Sequence, residues 1–321
     1  MFDSMSLEDM QRYRGRQEIP RGFEQFWNEK IQEVQGIPSY QLIEKPYFND
    51  YASAYECWFD GTNGAKVFAK CLFPKTNKQV PVLFYFHGYQ GQGPDWSQFL
   101  NYVAAGYGVV CLDVRGQAGR SIDNQHFEGM TVKGQVIRGM ETGPEALFFK
   151  DIYLDVYQII EIIASLDFVD EKALFTYGAS QGGALALVGA ALNPRIQLCV
   201  SIYPFLSDFK RILELGDQAE PYNELFRYFK FKDPFHETEA QILEHLSYID
   251  LKNFASRIQG KVKMIIGLQD DVCPPSTQFA IYNQIASEKE VKIMPEYGHE
   301  GMNVKVNDLV FNWLTGSNIE I

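Results

Sequence analysis

The sequence predicts a mostly parallel, doubly covered α/β sheet, and three observations predict it. Continuous apolar runs of strand length recur at Pro81–His87, Gly108–Asp113, Leu198–Tyr203 and Val262–Leu268, the pattern of strands buried on both faces. Stretches of helical period lie between them, as in Phe149–Leu166, where Ile152, Val156, Ile159, Ile160 and Ile163 form one stripe. A further strand-like run, Ala-Leu-Phe-Thr-Tyr from residue 173, meets Gly178-Ala-Ser180-Gln-Gly182, and a small-residue helix follows.

The 321 residues are 46% hydrophobic, enough for one large domain, and the whole chain reads as a single unit without repeats or low-complexity linkers. A net charge of −12 and the lack of any basic tract argue against nucleic acid and anionic membrane as partners. The opening residues, Met-Phe-Asp-Ser-Met-Ser-Leu-Glu-Asp, carry neither the basic nor the apolar region of a signal peptide, and no apolar run reaches membrane-spanning length. The five cysteines are odd in number and scattered. Cys111 and Cys199 fall in strand-like runs, so buried free thiols and a reducing, cytoplasmic location are expected. No metal-spaced His/Cys cluster is visible, so neither metal nor other cofactor is expected.

Taken in order, the chain begins with a short polar helix from Ser6, ended before Pro20. A second helix over Gly22–Val34 puts Phe23, Phe26, Trp27, Ile31 and Val34 on one face, which must dock on the body of the protein. Together they form an N-terminal helical extension. Tyr55–Phe59 and Lys66–Phe73 read as a hairpin around Asp-Gly-Thr-Asn-Gly, residues 60–64. After the Pro81–His87 strand, Gly88-Tyr-Gln-Gly-Gln-Gly93 reads as a mobile loop, and Trp96–Ala105 as a helix before the Gly108–Asp113 strand. Residues 118–146 are a long polar, glycine-rich excursion of the kind that carries function. From residue 204 to about 260 the βα rhythm breaks into an aromatic, charged stretch, predicted to be an inserted helical lid. The sheet then resumes, with a helix from Ser276, a strand over Glu290–Met294 and a last helix from about Asn303 to Trp313.

Gly-x-Ser-x-Gly between a strand and a helix is the nucleophile elbow of the α/β-hydrolase fold. The turn is too sharp for side chains two residues either way, and it leaves the Gln181 amide at a helix N-terminus, where an oxyanion would form. A serine hydroxyl needs a base, and the base an orienting acid, in the chain order Ser, Asp/Glu, His. Of the three histidines after Ser180, His236 and His245 lie on polar sequence in the insertion, whereas His299 follows the last strand between small residues. His299 is therefore the candidate base. For the acid, position alone leaves Asp270 and Asp271 both open at the end of their strand, with Asp208 an outsider. The member of the aspartate pair not holding the imidazole would accept from backbone donors of the turn into Pro274-Pro275. The second oxyanion donor should come from the loop after the Pro81–His87 strand, which makes the Tyr89 amide the candidate. His87 precedes the serine and is read as a structural residue.

Three patterns together, Arg115-Gly-Gln117, Gly178-x-Ser180-Gln-Gly182 and His299-Glu300, resemble the signature of carbohydrate esterase family 7, the acetyl xylan esterases and cephalosporin C deacetylases. The resemblance spans nearly the whole chain and includes Gly267-Leu-Gln-Asp270-Asp-Val-Cys-Pro-Pro-Ser276. It implies Asp270 as the acid, Tyr89 and Gln181 as oxyanion donors, and Arg115 and Gln117 as braces for the loops rather than proton carriers. It also implies deacetylation of small acetylated carbohydrates, chiefly xylo-oligosaccharides, with cephalosporin C as a promiscuous substrate. A homo-hexamer built as a trimer of dimers is implied as well. The competing readings are a serine peptidase of the prolyl-oligopeptidase kind, for which a propeller domain is lacking, a thioesterase, and a non-enzymatic binding protein of the same fold.

Overall fold

The computed structural model describes residues 3–46, 50–126, 135–216, 219–301 and 304–317. Nine strands form a single sheet: β1 (Tyr40–Lys45), β2 (Ala52–Asp60), β3 (Lys66–Pro74), β4 (Val80–Phe86), β5 (Gly108–Asp113), β6 (Val169–Ala179), β7 (Ile196–Ile202), β8 (Lys261–Gly267) and β9 (Lys289–Met294). Their spatial order is β1-β2-β3-β5-β4-β6-β7-β8-β9. The first three strands pair antiparallel with one another, and β3 pairs antiparallel with β5. From β5 to β9 every pairing is parallel. The expected sheet is therefore present, with an antiparallel flank one strand wider than expected. β1 is too exposed to announce itself by alternation: none of its six residues is buried, and four carry polar or ring-hydroxyl groups.

The helices are α1 (Leu7–Met10), α2 (Phe23–Glu33), α3 (Leu100–Ala104), α4 (Phe148–Ala164), α5 (Gln181–Leu192), α6 (Phe209–Leu215), α7 (Asn223–Phe231), α8 (Glu239–Leu246), α9 (Pro275–Tyr282) and α10 (Val306–Thr315). The expected last helix begins later than residue 303, and Asn303 itself lies outside the described residues, as do residues 127–134 of the long excursion. Alternation along β4 shows how the sheet divides the core. Val82, Phe84 and Phe86 enter the larger apolar cluster with α2, α4, α5 and the insertion, while Leu83 joins the smaller one with α3 and α10.

Helix α4 departs from the expected single stripe, because almost all of its residues are buried, Asp151 and Asp155 among them. Its outer face is covered by α2, by the hairpin turn at Thr62–Gly64 and by the turn at Pro144–Ala146. Asp151 is satisfied there by Thr62 Oγ1 at 2.8 Å and Asn63 Nδ2 at 3.0 Å. The glycine-rich loop after β4 is also more restrained than a mobile loop. The Gly93 amide donates to Asp113 at 2.7 Å, and Lys70 Nζ donates to the Pro94 carbonyl at 2.8 Å.

Two devices fasten the N-terminal extension. Asp3 is buried; it accepts from the Ser276 amide at the start of α9 at 2.9 Å and pairs with Arg211 of α6 at 2.9 Å. Further along, Asp208 accepts from the Tyr13 hydroxyl at 2.5 Å and the Arg16 amide at 3.0 Å. Asp208 is thereby engaged with the extension, which removes it as a partner for the distant imidazole.

Helix α2 docks as its pattern requires. Phe23 and Trp27 are buried, and Phe26, Ile31 and Val34 pack at the margin of the core. The Trp27 indole N–H donates to the Tyr248 carbonyl at 2.9 Å, and the ring meets Phe254 edge-on at 5.0 Å. Trp27→Ala should therefore cost about 3–5 kcal/mol. A urea unfolding midpoint equal to that of the parent chain would contradict this docking.

Candidate active site

Ser180 sits between the end of β6 and the start of α5 with φ 57° and ψ −122°, a conformation non-glycine residues seldom adopt. The surroundings hold it there. A Cβ on Gly178 would lie 2.3 Å from the carbonyl carbon of Gly182, and a Cβ on Gly182 would lie 2.0 Å from the Phe86 carbonyl oxygen. Only hydrogen side chains allow β4, β6 and α5 to converge so closely. The Ser180 amide donates to the Ile202 carbonyl at 2.9 Å, which ties the turn to β7.

A chain of hydrogen bonds leads away from the serine. His299 Nε2 is 3.0 Å from Ser180 Oγ, and His299 Nδ1 is 2.9 Å from Asp270 Oδ2. With the carboxylate facing Nδ1, that nitrogen carries the proton and Nε2 is left to accept from the serine hydroxyl. Asp270 follows β8 and His299 follows β9. The two strand ends approach so closely that a Cβ on Gly267 would lie 2.4 Å from the Tyr297 carbonyl oxygen. The ring of Tyr203 packs against His299 with centroids 4.6 Å apart.

The division of labour expected between the two aspartates is corrected. Asp270 takes both parts: besides His299, its Oδ1 accepts from the amides of Val272 at 3.0 Å and Cys273 at 2.7 Å. Gln278 Nε2 adds a donor to Oδ2 at 3.3 Å. Asp271 is exposed. A carboxylate has lone pairs enough for imidazole and turn together, so one residue suffices. Asp270, Cys273 and His299 also bring ligand-capable atoms within 4.8 Å of one another, a grouping that sequence spacing did not reveal. Within it His299 Nδ1 and Asp270 are hydrogen-bonded to each other.

Three other histidines are otherwise engaged. His87 is buried, accepting from the Val114 amide at 3.0 Å through Nε2 and donating from Nδ1 to the Gly88 carbonyl at 2.8 Å. Burial pushes its pKa down, consistent with a neutral structural ring. His236 stacks on Phe229 with Nδ1 2.5 Å from Glu239, and His245 Nδ1 donates to the Met140 carbonyl at 2.6 Å.

Around the elbow lies a set of side-chain braces. The amides of Gln117 and Gln181 pair reciprocally, Gln117 Nε2 donating at 2.6 Å and Gln181 Nε2 donating back at 2.9 Å. Gln117 also donates to Gln135 Oε1 at 2.8 Å, and Gln135 Nε2 donates to the Gly116 carbonyl at 2.5 Å. Arg115, wholly buried, grips Asp155 of α4 in a two-pronged pair at 2.6 and 2.5 Å, with a third bond to the Thr62 carbonyl at 3.0 Å. Burial pushes the Asp155 carboxyl up to about 6 even with that guanidinium beside it. The Gln181 amide opens α5, where no intrahelical acceptor is available. Tyr89 lies between Gly88 and Gln90 in the loop after β4. Its ring packs on Phe205, and its hydroxyl donates to Glu224 of α7 at 3.3 Å. Sequence reasoning missed Asp155, Gln135 and Glu224, which stand on a helix, the excursion and the insertion with no local motif to mark them.

A strained serine turn at the end of a central parallel strand, with Asp and His following in that chain order, defines an α/β-hydrolase. Fold comparison agrees: 2,6-dihydroxy-pseudo-oxynicotine hydrolase, at 15% identity, superposes over 91% of this chain and 71% of its own with a TM-score of 0.57. Residues 1–317 match the family described as acetyl xylan esterase (AXE1), and the chain belongs to that family. Acetyl xylan esterase 1 from Thermoanaerobacterium sp. JW/SL YS485 is 42% identical, with 98% of this chain and 99% of that one covered and a TM-score of 0.94. An acetyl xylan esterase from Paenibacillus sp. R4 is 33% identical, covering 98% and 100%, with a TM-score of 0.92. Acetyl esterase Axe7A of Xylanibacter ruminicola is 28% identical over 291 residues, 87% of this chain. This chain spans 63% of that relative's length.

Asp270→Asn should lower kcat by roughly 10⁴-fold, as loss of the orienting acid does elsewhere, whereas Asp271→Asn should be mild. The check is turnover of the two variants side by side, and a crippled Asp271→Asn would reverse the assignment. Glu224 supplies a pH prediction. Burial pushes its carboxyl from 4.5 up to about 7, so the folded chain keeps a proton that the unfolded chain has released. Stability from that proton is complete below the unfolded value and lost as pH rises through about 7. Glu224→Gln should thus melt a few degrees above the parent at pH 8, with the gap closing near pH 4.5. An equal gap at both pH values would contradict it.

Proposed function

We propose that the chain is a serine esterase that removes acetyl groups from small acetylated carbohydrates, xylo-oligosaccharides above all. The observation that carries this reading is the Ser180–His299–Asp270 hydrogen-bond chain on the strained elbow. Ser180 Oγ attacks the acetyl carbonyl carbon as His299 Nε2 takes its proton, and the carbonyl oxygen becomes an oxyanion held by the Tyr89 and Gln181 amides. The bond from carbon to the sugar oxygen then breaks, and His299 returns the proton to the leaving alcohol. Water, deprotonated by His299, attacks the acetyl-enzyme and releases acetate and Ser180. Asp270 keeps the imidazole in the required tautomer and stabilises it when charged. Arg115 and Gln117 brace the loops and carry no proton.

Family membership supports the acetyl specificity, and the similar acetyl xylan esterases point to acetylated xylan. Cephalosporin C deacetylation, as a promiscuous activity, and a homo-hexamer belong to the same proposal on the family resemblance. The inserted stretch 204–260 is read as a lid, supported by the contacts of Phe205 and Glu224 with the Tyr89 loop. Five buried cysteines without disulfides support a reducing compartment such as the cytoplasm. Among the described residues, no helix is long and apolar enough to cross a membrane.

Ser180→Ala should fold as the parent does and lose several orders of magnitude in ester hydrolysis. Acetate release from acetylated xylo-oligosaccharides, measured beside a series of acyl lengths, is the test. Acetate and propionate should be released readily and octanoate poorly. Acetate release above about one per cent of the parent by Ser180→Ala would overturn the nucleophile, since its removal elsewhere costs about 10⁶. A preference for octanoate would overturn the acetyl pocket.

A further inference from the structure

Glu224 is an unusual residue to find on an inserted helix. It lies on α7, is only 7% exposed, and its Oε2 has no hydrogen-bond partner among the described residues. A buried carboxylate is costly, and so is a buried oxygen left without a donor. Its Oε1, by contrast, accepts twice: from the Tyr89 hydroxyl at 3.3 Å and from the Val136 amide at 3.1 Å. These two bonds lead to two different places.

The first leads to the loop after β4. The Tyr89 ring is held between Glu224 and Phe205, so its backbone amide is fixed by the far end of its own side chain. The second leads to the excursion between β5 and α4. Val136 follows Gln135, whose amide oxygen accepts from Gln117, whose own amide pairs with Gln181. Both amides assigned above to the oxyanion are therefore reached from a single carboxylate, one through a phenol and the other through two glutamines. An oxyanion hole works only if its donors stand where charge develops, and displacement of a donor is felt in the transition state more than in substrate binding.

We propose that Glu224 is a positioning residue for the oxyanion hole, holding the Tyr89 amide through the phenol and the Gln181 amide through Val136, Gln135 and Gln117. The inference rests on the reading of Tyr89 and Gln181 as oxyanion donors, and it adds that the insertion helps assemble the transition-state site. The insertion is then part of the machinery, beyond any role as a cover.

The test uses Glu224→Leu, Glu224→Gln and Tyr89→Phe, each normalised by active-site titration with a fluorophosphonate. The probe of the tetrahedral state is phenylboronic acid, whose boron bonds to the serine oxygen and places a hydroxyl in the oxyanion position. Its binding to the parent and not to Ser180→Ala establishes that the probe reports on this site. Failure of that control counts against the serine reading, separately from Glu224. Glu224→Leu should lower kcat per titrated site by about tenfold or more, short of the ~10²–10³ lost with a whole donor. KM should change by less than about threefold while the inhibition constant for phenylboronic acid rises with the loss in kcat. Glu224→Gln keeps an oxygen for both donors and should recover to within about threefold of the parent. Tyr89→Phe, which deletes one hydroxyl, should show a smaller loss of the same pattern, and it carries the test alone if Glu224→Leu does not fold. Unchanged kcat and inhibition constant in either Glu224→Leu or Tyr89→Phe overturns the proposal. A rise in KM alone does so too, as does a Glu224→Gln as damaged as Glu224→Leu.

Discussion

The constraint on which the rest depends is the contact between Gly182 and the carbonyl of Phe86. With no Cβ at residue 182, the first turn of α5 settles directly on the end of β4. That places Gly178 against Gly182 and throws Ser180 into its left-handed turn, clear of the sheet. The same convergence brings the loop after β4 and the start of α5 to one spot. Tyr89 and Gln181, proposed above as the oxyanion donors, belong to these two segments although 92 positions separate them. Strain at the serine is thus carried by backbone packing on three strands, and side chains are left to orient and to brace.

Much of this was legible in the sequence, because the relevant signals are local. Apolar runs without alternation mark β4, β5, β7 and β8, since strands covered on both faces have no polar side. The elbow reads directly, since each of its small residues answers a steric demand a few residues away. What stayed hidden depends on distant parts of the chain. β1 looks like loop sequence because it sits at the edge of the sheet. The burial of Asp151 and Asp155 could not be seen from a helical stripe, because the covering comes from residues near position 62 and from α2. The doubled role of Asp270 depends on a turn geometry that charge spacing does not encode. Glu224 lies in an aromatic, charged stretch with no local motif to single it out.

The site also shows how buried charge is managed. Asp270 has donors on both oxygens, and its imidazole partner completes the set. Arg115 and Asp155 satisfy each other, so removing either would leave an uncompensated charge in the interior. Glu224 is the exception, with one oxygen served and the other not, and burial pushes its carboxyl up to about 7.

The clasp formed by Asp3 has a consequence for the order of assembly. Asp3 meets Ser276 across 273 positions and Arg211 across 208. In a growing chain Asp3 has only the nearby Met5 amide at 3.2 Å until Arg211 and Ser276 have been made. The loop to be closed is then long, and long-range closures are slow to form. During synthesis the apolar face of Phe23 and Trp27 meets Tyr153 of α4 first, and its seat is completed only when Tyr248 and Phe254 arrive. Until then the extension keeps part of its apolar face exposed, and it is there that a chaperone would have most to do.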